Sequence, residues 1–305
     1  MRLLNILLFC SIACSLAAQQ PFIVVLGNVQ DGGSPHIGCT KKCCAPLFQK
    51  PDPERKVTTL GIADPARKSS YLMEATPDIT SQLKLLKEYS QTTSDIPNGI
   101  FLTHAHIGHY SGLMYLGKEA MNASQVPVYV MPRMKTFLEQ NGPWSQLVNL
   151  KNIVPKNIEN GVAVTLSNDL QIIPFQVPHR DEYSETVGYK IIGPNKKALF
   201  IPDIDKWEKW NKDIRQEIAA VDYAFIDATF FDAEEINNRD IKEIPHPFII
   251  ETMRMFEAMP ISEKKKIYFI HLNHTNPALN TESAQSKRII KAGFNIARFK
   301  EVFQL

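Results

Sequence analysis

Histidines in this chain gather at the ends of apolar runs, where they could hold a metal ion. His104, His106 and His109 crowd the segment FLTHAHIGHYSG, and His179 ends QIIPFQVPH. His246 lies in IPHPF, and His271 and His274 lie in IYFIHLNHTNP. Neutral imidazole is the commonest metal-binding side chain near neutral pH. One carboxylate, Asp203 in LFIPDID, follows a similar run. A carboxylate held between two ions bridges them at about 3.5–4 Å, and a divalent ion brings the pKa of a water to about 7. The chemistry on offer is therefore hydrolysis at neutral pH. His104 and His106 address the same side of an extended segment because alternate residues share a face, while His109 is offset toward a neighbouring ion. Asp227, ending YAFID, is placed to orient a metal-bound imidazole rather than to bind an ion itself.

To meet, these groups need strands that end on a common rim. Apolar runs predict strands over 22–27, 56–63, 70–74, 99–103, 126–131, 163–166, 170–177, 186–192, 198–202, 223–227 and 266–271. Helices are expected over 78–89, 110–121, 207–219, 246–259 and 281–292, with another ending near 139. Two halves of strands followed by helices predict an α/β (α+β) chain with two packed sheets and helices outside, as one domain over 21–305.

The composition is that of an ordinary globular chain: 305 residues, 44% apolar and 22% charged, with a net charge of +2. That balance gives no electrostatic footprint for nucleic acid, so a small-molecule substrate is the expected partner. The first twenty residues, MRLLNILLFCSIACSLAAQQ, have a positive start, a short apolar stretch and small residues before a polar break. Such a layout predicts an export signal, too short to span a bilayer, and a secreted or periplasmic protein. Lipid attachment at Cys14 is a lesser alternative. With the signal removed, Cys39, Cys43 and Cys44 remain. Three thiols cannot all pair within one chain, and so tight a cluster points to metal thiolates.

The order of these groups resembles the metallo-β-lactamase superfamily of metal-dependent hydrolases over nearly the whole chain after residue 20. The resemblance implies a four-layer αββα sandwich. It places a first metal on His104, His106 and His179, a second on His109 and His271, and Asp203 between them. The family pattern is His-x-His-x-Asp-His, but Gly108 stands where the acid belongs. Glycine can neither ligate a metal nor orient a water. The second ion is thus expected to be weak, absent or differently ligated, and Gly108→Asp is expected to raise its occupancy. Asp31, His36 and Asp227 are the candidate substitutes.

The segments FIVVLGNVQDGGSPHIGC, DATFFD and IHLNHTNP are more narrowly similar to the pyrroloquinoline-quinone biosynthesis protein B family. The cysteine loop and paired late histidines are also similar to a cyclic phosphodiesterase of phosphonate degradation. Carried over, Cys39, Cys43, Cys44 and His274 form a structural Cys₃His zinc site, although Cys-x₃-Cys-Cys replaces the relatives' Cys-x-Cys-x₂-Cys. His246 lies where the phosphodiesterases carry a general-acid histidine, with Pro245 and Pro247 in place of their Gly-His-x-Ser pattern. With Asp227, it completes the expected catalytic pair.

The implied activity is metal-dependent hydrolysis by a metal-bound hydroxide, with a phosphoester or related ester as substrate. Zinc is the expected active-site ion, with manganese or iron as alternatives, and a further zinc occupies the cysteine site. The quinone-biosynthesis resemblance implies an iron-dependent hydroxylase or oxygenase instead, against which the export signal stands. Gly108 favours a third reading, a non-catalytic metal-stabilised binding protein. Substrate identity and oligomeric state stay open.

Overall fold

The computed structural model describes residues 19–236 and 243–305. The expected export signal, Cys14 included, lies outside the described residues except for its last two positions. No described helix is long and apolar enough to cross a membrane.

The described residues build two seven-stranded sheets. Sheet one contains β1 (Phe22–Gly27), β2 (Thr59–Asp64), β3 (Ser69–Met73), β4 (Gly99–Phe101), β5 (Val126–Val130) and β6 (Ile153–Asn157). Sheet two contains β7 (Val164–Ser167), β8 (Leu170–Gln176), β9 (Val187–Ile192), β10 (Lys197–Ile201), β11 (Tyr223–Asp227), β12 (Ile267–Ile270) and β13 (Asn295–Ile296). The last strand, β14 (Val302–Gln304), returns to pair with β1, so sheet one runs β14-β1-β2-β3-β4-β5-β6. Sheet two runs β13-β12-β11-β10-β9-β8-β7.

Every residue of β1 is buried, which requires cover on both faces. Its alternating side chains divide accordingly. Ile23 and Val25 join Leu60, Phe101, Tyr189, Phe200, Phe225 and Phe303 between the sheets. Val24 and Leu26 face outward, packing with Ile79 and Leu86 of the helix Ile79–Ser90. On the far side, Leu199, Ile226 and Phe269 of sheet two pack against Ile218, Ile249 and Ile289. Helix, sheet, sheet and helix form the expected αββα sandwich.

Several elements differ from expectation for local reasons. The segment IVPKN forms β6 despite Pro155, because it lies at the sheet edge where a missing N–H is tolerated. The expected helix over 110–121 is instead a short turn, Ile107–Tyr110, followed by a 3₁₀ stretch, Ser111–Leu116. Gly112 lets this segment press on the chain beneath it: a Cβ there would stand 2.0 Å from the Thr76 carbonyl oxygen. The helix expected over 207–219 keeps only a 3₁₀ turn, Trp207–Lys209, and Ile214–Ala219, which Asp213 caps by accepting from the Arg215 N–H. His246 precedes its helix, Ile249–Met255, because Pro245 and Pro247 interrupt the backbone hydrogen bonding.

Candidate metal centre

Strand direction explains why the histidines meet. β3, β4 and β5 are parallel, and two antiparallel steps through β2 give β1 the same sense. β10, β11 and β12 are parallel, and two antiparallel steps through β9 give β8 their direction. Each set therefore delivers the residues after its strands to one rim, where ligands of open α/β sheets commonly lie. After β4 come His104, His106 and His109; after β8, His179; after β10, Asp203; after β12, His271.

Four donor atoms converge first. His104 Nε2 lies 2.8 Å from His106 Nδ1, which lies 3.3 Å from His179 Nε2. Asp203 Oδ2 is 3.4 Å from His104 Nε2, 3.2 Å from His179 Nε2 and 3.9 Å from His106 Nδ1. A second group shares that same oxygen. His109 Nε2 is 3.9 Å from Asp203 Oδ2 and 3.0 Å from Asp31 Oδ1. Asp31 Oδ1 also lies 2.9 Å from His271 Nε2. Within each group, one ligand atom per residue can be chosen so that all lie within 4.8 Å of one another.

These donors fit a cation. His104, His109, His179 and His271 have fully buried or nearly buried side chains, as does Asp203. Lone pairs facing one another out of water are costly unless something positive satisfies them. Burial, reinforced by the charge of His109, holds the His104 imidazole well below its usual pKa and thus neutral. Burial works to raise Asp203, yet the charges of His179 and His246 hold its carboxyl well below the usual range. Burial likewise opposes ionisation of His179, but Asp203 and Asp205 push it up to about 9. A bound ion would compete with that proton.

A second layer of polar groups orients the rings. Thr103 Oγ1 is 2.9 Å from His104 Nδ1, Asp205 Oδ1 is 3.3 Å from His179 Nδ1, and Glu182 Oε2 is 3.3 Å from His106 Nε2. Glu74, wholly buried, sets Oε1 3.3 Å from His109 Nδ1 and accepts the Thr103 N–H through Oε2. Sequence reasoning missed Glu74, Thr103, Glu182 and Asp205. Glu74 carries the same signal as Asp203, an acid closing an apolar strand. Glu74 and His271 both adopt left-handed backbone, with φ of 81° and 65°. Such conformations persist where surrounding structure enforces them, and they cluster at functional sites.

Asp227 serves two histidines. Its Oδ1 accepts from Thr229 Oγ1 at 2.7 Å, and that hydroxyl lies 3.0 Å from His271 Nδ1. Its Oδ2 is 2.9 Å from His246 Nδ1. His246 Nδ1 also stands 3.1 Å from Asp203 Oδ1, but off the line of a hydrogen bond, so that buried oxygen lacks a partner. Burial opposes protonation of His246, yet Asp227 and Asp203 raise its pKa well above the usual value.

Cys39, Cys43, Cys44 and His274 form a separate cluster. Sulfur separations are 4.0 Å for Cys39–Cys43 and 3.8 Å for Cys43–Cys44, and all three thiols are free. A tetrahedral zinc with bonds of about 2.3 Å needs sulfurs about 3.8 Å apart. Burial, with the nearby His36 and Lys41, lowers His274 to about 4, leaving a neutral donor. His36 stacks on His274 at 4.4 Å, so it accompanies the cysteine cluster rather than replacing the acid missing at position 108.

A cavity of about 920 Å³ between Ile79–Thr92 and Tyr115–Met121 includes none of these donors. A cleft of about 380 Å³ lined by Arg133, Phe137, Gln140, Asn141, Glu182 and Tyr183 reaches the Glu182 side chain that touches His106.

Known proteins resemble this chain in sequence and fold. Coenzyme PQQ synthesis protein B of Xanthomonas oryzae pv. oryzae is 26% identical over 301 residues, spanning 90% of this chain and 97% of its own. The protein of that name from Gluconobacter oxydans is 22% identical over 313 residues, spanning 93% and 98%. Two solved structures share the fold. Zn(2+)-bound PqqB from Methylobacterium extorquens has a TM-score of 0.75 at 19% identity, covering 93% of this chain and 100% of that one. A diphosphatase of the PhnP family has a TM-score of 0.65 at 20% identity, covering 94% and 98%. The Beta-lactamase superfamily domain matches residues 70–272, from β3 through the residue after His271. With that match spanning most of both sheets and every rim histidine group of the first donor set, the chain belongs to the beta-lactamase superfamily.

Proposed function

We propose that this protein is a metal-dependent hydrolase of a phosphoester or related ester. One observation carries the proposal: two buried donor groups share a single carboxylate oxygen, Asp203 Oδ2. His104, His106, His179 and Asp203 would hold the first ion. His109, His271 and Asp203 would contribute to the second. A divalent ion there supplies Lewis acidity and a water that ionises near neutral pH. Zinc is the favoured ion, in keeping with the zinc named for the Methylobacterium protein of like fold. Imidazole and carboxylate donors also suit manganese and iron.

The chain's own groups do the rest. Thr103, Asp205 and Glu182 fix the rings of His104, His179 and His106. The cleft beside Glu182 offers Arg133 for a negative group and Phe137 and Tyr183 for an apolar one. His246, held at Nδ1 by Asp227, keeps a proton available at Nε2 for a leaving oxygen. Asp227 is its positioning partner.

Purified protein reconstituted with zinc or manganese should hydrolyse bis(4-nitrophenyl) phosphate, lose that activity on chelation, and recover it when the metal returns. Hydrolysis that persists after chelation of every ion would defeat the proposal. The likeness to coenzyme PQQ synthesis protein B supports a second reading, a role in quinone biosynthesis; as an iron-dependent oxygenase the protein would retain iron through purification and consume oxygen. Metal analysis paired with an oxygen electrode separates the two.

If His246 is the proton donor, His246→Asn slows hydrolysis of an alkyl ester by about a hundredfold. The same substitution should slow a 4-nitrophenyl ester less than tenfold, because that leaving group needs no proton. Equal losses on both substrates would assign His246 a structural role instead.

A further inference from the structure

We propose that Asp31 supplies the carboxylate that position 108 lacks, so that the first loop rather than the histidine turn closes the second metal pocket. The inference rests on the metal-site reading above and names a ligand which that reading leaves open.

The geometry is one of exchanged places. A Cβ built on Gly108 would lie 2.5 Å from Asp31 Cα, 2.6 Å from its Cβ and 2.6 Å from its Cγ. The space where a residue-108 side chain would begin is already filled by Asp31, backbone included. Its Oδ1 then reaches His109 Nε2 at 3.0 Å and His271 Nε2 at 2.9 Å. Ligands about 2.0–2.2 Å from a tetrahedral ion stand roughly 3.4 Å apart. The spacings of Asp31, His109 and Asp203 bracket that value.

The loop is built to hold Asp31 there. Val29 bridges both Val57 and Leu272. The Leu272 N–H donates to Asn28 O at 2.8 Å, and the Gln30 N–H donates to Leu272 O at 2.9 Å. Asn28 through Gln30 thus runs beside the residues after β12, bringing Asp31 against His271. Gly33, with φ of +72°, turns the chain back immediately afterwards.

The earlier expectation for Gly108→Asp is thereby reversed. In the native background the new side chain meets the Asp31 backbone, so it should lower the melting temperature and add no ion.

The experiment counts metal by mass spectrometry after zinc loading and desalting. Wild-type protein should hold one ion more than Asp31→Ala, while both keep the ion that depends on His104. The exchanged pair Asp31→Gly/Gly108→Asp should regain the ion that Asp31→Ala loses. An Asp31→Ala protein that is folded by circular dichroism and keeps the full wild-type count overturns the inference. So does an exchanged pair that stays one ion short with a native melting profile. A wild-type protein whose count is unchanged by His104→Ala would instead overturn the underlying metal-site reading.

Discussion

Asp203→Asn should reduce phosphodiester hydrolysis by about a thousandfold or more while leaving the secondary structure unchanged. The substitution preserves shape and removes one negative charge from a site where Oδ2 serves both donor groups. No neighbour can take over: His104, His106 and His179 are neutral or cationic, and Asp205 is occupied with His179 and Lys209. Loss of several kcal/mol of charge stabilisation corresponds to about a thousandfold or more in rate. Bound metal should fall with the rate, because one atom would contribute to both proposed ions. A variant within tenfold of wild type, with its metal count intact, would remove Asp203 from the centre of the mechanism.

The second large effect concerns stability. Cys44→Ser should release the ion of the cysteine cluster and lower the melting temperature by about 15 °C or more. Structural zinc sites contribute on the order of 10 kcal/mol, and a chain of this size loses roughly 2 °C per kcal/mol. The sulfurs are 3.8 and 4.0 Å apart, far beyond the roughly 2.05 Å of a disulfide. Cys44 is fully buried, so its thiol is available to this cluster rather than to solvent. Reductant should leave wild-type protein unaffected, whereas a strong chelator should reproduce the substitution. A Cys44→Ser protein that melts within 3 °C of wild type and retains every ion would show that the cluster is merely packed thiols.

The parts of the site that were legible in sequence share one property: each ligand follows its own apolar strand. FLTHAHIGH, QIIPFQVPH, LFIPDID and IYFIH all announce a strand and then a polar donor. Asp31 was only one of three candidate substitutes, because its nearness to His109 spans 78 positions of chain and depends on a loop pairing beside Leu272. No local pattern encodes such a contact. Glu74 was readable by the Asp203 rule, but it lies outside the histidine groups that drew attention. Helices near 110 and 207 were overextended because apolar periodicity continued through positions where glycine or close packing broke the hydrogen bonding. β6 was missed because Pro155 masks an edge strand.

The donors are divided between the two sheets. Sheet one carries Asp31, His104, His106 and His109; sheet two carries His179, Asp203 and His271. An ion at the rim would thus be a rivet through two plates, and its grip would depend on how far apart the plates rest. That gap is set remotely, by the bulk of Phe101, Tyr189, Phe200 and Phe225 wedged inside. The affinity of the proposed site would accordingly be adjustable from its greasy interior, by residues that never approach the rim.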